Sequence, residues 1–241
     1  VYEQLDKLKQ LIKQAKLLAS QYDVVVTNPP YMGTKGMNPK LSDYVKKYYT
    51  DSKADLFAVF MERCSSFTKV NGFHAEINQQ SWMFLGNYEN IRKKILSNLS
   101  IQSMLHLGPR TFEEIGGEVV QSTSFIIRNC TVKNLNGIYF RLTDYSSPLD
   151  KEKAFLDKKN VYIVKQEKFN IISGSPVAYW ASETVYDLFA SEEKLSKFAA
   201  AKKGSFTGNN ERFLRLWYEV SIHTIGFGYK NRIAAELSKL C

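Results

Sequence analysis

The sequence is poor in the residues that staple or chelate. Its 241 residues hold three cysteines, Cys64, Cys130 and Cys241, far apart and without a C-x-x-C pair. Such thiols give neither a disulfide framework nor a zinc-ribbon spacing, and they suit a reducing, cytoplasmic setting. The three histidines, His74, His106 and His223, share no metal-ligand spacing, so no metal site is expected. No apolar run approaches the ~20 residues of a membrane-crossing helix. No secretory signal opens the chain. The glycine-rich dinucleotide fingerprint, the phosphate loop and the nucleophile elbow are all missing. Acidic residues are outnumbered, 24 against 33 Lys and Arg, for a net charge of +9. That balance permits a polyanionic partner without identifying one. What the chain does have is apolar and aromatic material, 44% and 13% of its residues, enough to build a core and exclude disorder as the main state.

The pattern along the chain alternates helices and strands. Leu5, Leu8, Leu11, Ile12, Ala15 and Leu18 recur at helical spacing over residues 3–19. Tyr22-Asp23-Val24-Val25-Val26-Thr27 reads as a buried strand. A glycine-bearing loop over 31–40 leads to helices over 41–49 and 54–68, with Asn71-Gly72 as a stop signal. Strands follow at 73–78, 101–107 and 117–129, separated by a helix at 86–99. After an Asn136-Gly137 turn comes a strand at 138–142. Helices are expected at 148–158 and near 182–190, and a loop at 203–210. This order implies an α/β fold with a mostly parallel sheet, helices on both faces and an antiparallel addition at one edge. A composition shift near residue 145 suggests a division into 1–145 and 146–241.

One feature is sharp. Asn28-Pro29-Pro30-Tyr31 directly follows the first strand, where ligand sites of open α/β sheets lie. By composition such a tetrapeptide arises in on the order of one chain in a thousand. Its chemistry suits a planar amino group. Two prolines fix two φ angles and stiffen the loop. The Asn28 side-chain carbonyl can accept one N–H of the amine and the Pro29 backbone carbonyl the other. Two acceptors on one NH₂ draw its lone pair out of conjugation and make the nitrogen a nucleophile. Tyr31 is placed to stack on a ring face, a contact worth ~1–3 kcal/mol per base.

Asn28-Pro29-Pro30-Tyr31 after Asp23-Val24-Val25-Val26-Thr27 resembles the catalytic motif of amino-methyltransferases. Asp55-Leu56-Phe57-Ala58-Val59-Phe60 resembles the helix of adenine-specific DNA methyltransferases of the type IIG-like and PglX kind, found in restriction-modification and phage-defence systems. Gly72–Asn78, Gly117–Thr123, Ser175-Pro176 with Tyr179-Trp180, and Gly204–Phe213 are similar to later segments of that family, the last leading into a target-recognition region. The resemblance implies the C-terminal part of a Rossmann-like sheet, S-adenosyl-L-methionine as cofactor and double-stranded DNA with a flipped-out adenine as partner. It also implies possible subunits of a restriction or defence complex. Asn28 and Pro29 would hold the adenine N6 amine, with Pro30 stiffening the loop and Tyr31 stacking. Phe112 would be a second aromatic against the base. Asp55 and Phe57 would lie on the pocket floor, and Lys35 would stand with the lysines at 40, 46, 47 and 53 that surround the motif.

The family's glycine-rich cofactor loop lies upstream of its N-P-P-Y motif. The 27 residues preceding Asn28 hold no glycine, so the base-side half of a site is expected without the cofactor half, as in a piece of a longer protein. Two other readings stay open: an amino-methyltransferase acting on a protein glutamine or on RNA, and a non-catalytic DNA-binding piece of a defence complex.

Overall fold

The structure, a computed structural model, describes residues 2–112 and 120–191. The expected strand positions 117–119, the segment Gly204–Phe213 and His223 lie outside the described residues.

The chain opens with α1 (Tyr2–Ala19) and β1 (Tyr22–Thr27). The motif loop then leads to α2 (Pro39–Tyr48), where Asn38 caps the first turn by accepting from the Leu41 amide and Pro39 supplies a preset φ. Next comes α3 (Leu56–Phe67), which buries Phe57, Ala58, Val59, Met61 and Cys64. It passes directly into β2 (Thr68–Gln79), with the Thr68 hydroxyl closing back on the Cys64 carbonyl at 2.7 Å. The expected stop at Asn71-Gly72 therefore falls inside a strand. Asn71 takes a left-handed φ of 67° there, and the pairing skips from Tyr22↔Thr68 to Val24↔Phe73. A Cβ on Gly72 would lie 2.7 Å from the Asp23 carbonyl oxygen, so only glycine admits this bulge.

Two short 3₁₀ turns, Gln80–Met83 and Gly86–Tyr88, precede α4 (Glu89–Asn98). Then follow β3 (Ser100–Gly108), β4 (Ser122–Arg128), β5 (Asn136–Arg141), α5 (Pro148–Leu156), β6 (Val161–Lys165) and α6 (Glu183–Ser191). The expected Asn136-Gly137 turn is the start of β5. Gly137 serves close packing there, since a Cβ would meet the Ile101 carbonyl oxygen at 2.9 Å.

The six strands form one mixed sheet in the order β1-β2-β4-β3-β5-β6. β1 and β2 are parallel, as are β3 and β5, while β4 runs antiparallel to both β2 and β3. The antiparallel strand expected at an edge thus sits in the sheet's interior, and a second, β6, closes the far edge against β5. Local pattern gives a strand's existence; its neighbours are chosen by packing over long sequence distances. The segment beyond residue 145 continues the same sheet through β6 and the same core through Phe169, Val177 and Tyr179.

The core lies between one sheet face and the helices and turns packed on it. Trp82 meets Phe125 edge-on at 5.3 Å, and Tyr139 stacks on Tyr179 at 4.9 Å and 11°. Arg92, fully buried, is satisfied by carbonyls: Trp82 and Leu85 at 2.9 and 2.6 Å, and Gly174 at 2.8 Å. It binds the 82–85 turn to the segment at 174. By contrast the apolar face of α1 (Leu8, Leu11, Leu18) and β1's Val24 and Val26 are exposed among the described residues.

Candidate active site

Because β1, β2, β3 and β5 all run in the same direction, with β4 and β6 opposed to them, the carboxyl ends of β1 to β3 and β5 share one edge of the sheet. Asn28 leaves β1 there, Gln80 leaves β2, Pro109 leaves β3 and Thr143 follows β5. This is where an open α/β sheet presents its ligands.

Asn28 is exposed, and its side chain makes no hydrogen bond among the described residues. Pro29 is buried, so the loop turns inward behind Asn28. Tyr31 is half-buried. Its hydroxyl donates weakly to the Ile77 carbonyl at 3.4 Å, and its ring meets Phe57 edge-on at 6.3 Å. Burial pushes the phenol above its ordinary pKa, so Tyr31 is neutral and serves as a ring, not an anion.

The loop is fastened immediately after the motif. The Asp55 carboxylate accepts from the Met32 amide at 2.9 Å and from the Phe57 amide at 3.3 Å. The Leu56 amide returns a bond to the Met32 carbonyl at 2.9 Å. Asp55 is thus both the N-cap of α3 and the anchor of the motif loop. Phe57 is fully buried, wedged between Tyr31 and Tyr88. Expected on a pocket floor, Asp55 and Phe57 stand one layer behind the exposed surface: one holds the loop's backbone and the other backs Tyr31's ring.

Lys35 is exposed in the turn closed by the Gly36 amide and the Gly33 carbonyl at 2.9 Å. Lys40, Lys46, Lys47 and Lys53 are also exposed, and Lys46 and Lys53 line a hollow of about 360 Å³ with Thr34, Thr50 and Asn87. Asp51, on the same hollow, is already held by Lys94 at 2.5 Å. Phe112 is half-buried beyond β3. Its stem is secured by Thr111 donating to the Gly108 carbonyl at 3.0 Å and by the Lys151 ammonium on the carbonyls of Leu107 and Pro109. β2 and β4 separate β1 from β3, so Asn28 and the Phe112 stem are three strand spacings apart, roughly 14 Å.

Sequence reasoning left out a polar group at the same edge. His106 is hydrogen-bonded to Tyr179 and Gln80, and Gln80 to Gln121. His106 is buried in β3 and satisfied, and its partners come from residues 26 and 73 positions away. His74, also buried, sits edge-on to Phe125. Among the described residues no cluster of histidine, cysteine and carboxylates could hold a metal ion, and no helix is long and apolar enough to cross a membrane.

The chain is similar to several known proteins. Residues 2–112 match the Eco57I restriction-modification methylase family. The adenine-specific methyltransferase PglX of Lacticaseibacillus casei (strain Zhang) is 46% identical over 228 residues, covering 92% of this chain and 19% of that protein. The adenine-specific methyltransferase BrxX of Escherichia coli O9:H4 (strain HS) is 45% identical over 215 residues, covering 88% and 18%. In fold alone, the chain is similar to the protein of the DrdV–DNA complex, with a TM-score of 0.52 at 14% identity, covering 72% of this chain and 20% of that one. The chain therefore spans about a fifth of the curated relatives it matches, and over that segment it is a relative of the adenine-specific methyltransferases PglX and BrxX.

Proposed function

We propose that this chain is the base-side part of a DNA adenine-N6 methyltransferase. The single observation that carries the reading is the exposed Asn28 on a proline-stiffened loop, with its acceptor free and the loop bolted to α3 through Asp55. Adenine in a duplex is stacked, so the base must be flipped out to reach this edge. Asn28 and the Pro29 carbonyl then accept the two N6 hydrogens, and Tyr31 covers one face of the ring with Phe57 behind it. Phe112 covers the base from the β3 side. The neutral amine needs no strong base: the acceptors localise its lone pair and later take charge from the methylated nitrogen until a proton leaves to water.

S-adenosyl-L-methionine supplies an electrophilic methyl group in this chemistry. The described residues near the motif do not form a glycine cradle for it. A Cβ on Gly33 would meet only Asp55 and Ala54 at ordinary contact, and one on Gly36 would meet the loop's own Met32. The donor pocket is therefore assigned to other residues of the full-length protein. Titration calorimetry of these 241 residues alone is expected to show no micromolar binding of the donor.

The DNA backbone is assigned to Lys35 and to the hollow bearing Lys46 and Lys53. Among the described residues neither Lys46 nor Lys53 is in an ion pair, and the neighbouring Asp51 is held by Lys94. Each phosphate contact of this kind adds about one unit to the salt dependence of binding. The test is transfer of labelled methyl groups by the full-length protein to duplex DNA, to a glutamine-bearing translation factor and to transfer RNA. Labelling of DNA alone is expected. Labelling of the protein or RNA in place of DNA would move the assignment to the other amino-methyltransferases.

A further inference from the structure

The hydrogen-bonded group beside the motif has an internal logic of its own. Asn78, Thr123, His106 and Arg141 are cross-strand neighbours, one row across β2, β4, β3 and β5 near their site-side ends. From this row His106 reaches two side chains. Its Nδ1 lies 2.9 Å from the Tyr179 hydroxyl and its Nε2 lies 2.5 Å from Gln80 Oε1. Gln80 Nε2 in turn donates to Gln121 Oε1, and the Gln80 backbone amide donates to the Gln121 carbonyl at 2.9 Å. Tyr179 is itself immobilised by its stack on Tyr139, and the His106 ring is backed by Trp180 at 5.8 Å.

The direction of each bond follows from charge. Burial first, and then the Arg141 guanidinium, push the His106 imidazole down to about 4, so it is neutral and carries one N–H and one lone pair. Gln80 Oε1 only accepts, so the N–H is on Nε2. Nδ1 then accepts from Tyr179. The chain runs from the Tyr179 hydroxyl to His106, from His106 to Gln80 and from Gln80 to Gln121. Within it Gln80, half-exposed, keeps one amide N–H and one carbonyl lone pair unspent.

Gln80 stands where a flipped base would need it. Asn28 follows β1, whose last paired residue Thr27 lies opposite Glu76, and Gln80 lies four residues past Glu76, directly after β2 ends at Gln79. Continuing both strands by one residue at ~3.3 Å per residue, with ~4.8 Å between strands, puts the Asn28 and Gln80 Cα atoms on the order of 11 Å apart. The Gln80 amide is turned toward the β4–β3 side, where it meets Gln121 and His106, and the gap between it and Asn28 leaves room for a purine. Resting on the proposed adenine reading, we propose that Gln80 contacts the substrate base, donating its unspent amide N–H to a ring nitrogen, and that His106, held by Tyr179, is the positioning residue that fixes Gln80. The N6 hydrogens are both committed to Asn28 and Pro29, so a ring nitrogen is the acceptor left on the base edge. Freely rotating, Gln80 would offer its carbonyl as often as its amine; bonded to a neutral His106 it offers the donor.

The test uses the full-length protein and duplexes carrying adenine, 1-deazaadenine, 3-deazaadenine or 7-deazaadenine at the methylated position. Gln80→Ala is expected to lower kcat/KM on adenine roughly tenfold, the size of one lost hydrogen bond to a substrate. On one of the three analogues, the one lacking the contacted nitrogen, wild type and variant are expected to be equal. His106→Phe keeps the ring against Trp180 and is expected to erase the same analogue's penalty. Tyr179→Phe, which removes only a hydroxyl, is expected to do so in part. Equal losses on all four duplexes, or no loss with Gln80→Ala, overturn the proposal. An Asn28→Ala variant run alongside separates the two claims: if it methylates adenine at the wild-type rate, the site assignment on which this inference rests is wrong; if it is inactive while Gln80→Ala is indifferent, only this inference fails.

Discussion

The Asp55 carboxylate accepts two backbone amides, Met32 at 2.9 Å and Phe57 at 3.3 Å, and so ties the loop after Tyr31 to the first turn of α3. A helix cap is an ordinary use of aspartate. Sharing the same oxygen with the motif loop makes the cap a determinant of where Asn28 and Tyr31 sit.

Asp55→Ala should therefore reduce methyl transfer more than it reduces stability. The cap is worth about 1 kcal/mol, a few degrees in Tm at most. Loosening the loop misplaces both acceptors, and kcat should fall on the order of tenfold or more. Asp55→Asn keeps an acceptor oxygen and should recover most of the rate. Thermal melts and single-turnover rates on the same variants check this; a rate unchanged in Asp55→Ala would show that the loop holds itself.

Glu76 makes stability depend on pH. Burial raises its carboxyl to about 8, and its neighbours Cys64 and Asn78 offset only part of that. The folded chain then holds a proton that the unfolded chain releases near pH 4.5. Its contribution is fully present below pH 4.5, falls by up to ~1.4 kcal/mol per unit as pH rises toward 8, and is flat above. Glu76→Gln, uncharged throughout, should gain stability over wild type from pH 5 to 8 and lose that advantage at pH 4. His74 and His106 work in the opposite sense, because burial depresses both to about 4; the difference between wild type and Glu76→Gln removes them. Parallel denaturation curves at pH 5 and pH 8 would contradict the assignment.

Gly72→Ala should destabilise the chain by about 1–3 kcal/mol. Its new Cβ would lie 2.7 Å from the Asp23 carbonyl oxygen and 3.0 Å from that of Lys69, both backbone atoms that cannot swing away. Urea denaturation measures it, and a neutral result would mean that the β1–β2 bulge relaxes freely.

Much of this was legible beforehand because it is local. The strand before Asn28 and the helix after Asp55 each follow from residues within a few positions of one another. The motif's position at a strand's carboxyl end followed from the same pattern. What the pattern could not give was long-range choice: β4 sits between β2 and β3, and Asn71-Gly72, a helix stop by residue type, becomes a bulge because Asp23 crowds it. The Tyr179–His106–Gln80 chain was hidden for the same reason. Each residue alone is unremarkable, and only the sheet brings them together.

The central claim is that Asn28 holds an adenine amine for methylation. Duplex DNA treated with the full-length protein and S-adenosyl-L-methionine, digested and analysed by nucleoside mass spectrometry, tests it directly. The account predicts N6-methyldeoxyadenosine with the wild-type protein and a loss of a hundredfold or more with Asn28→Ala, on the scale of removing a group that acts on the reacting atom. Methylation at another base, or N6-methyldeoxyadenosine undiminished by Asn28→Ala, would contradict it.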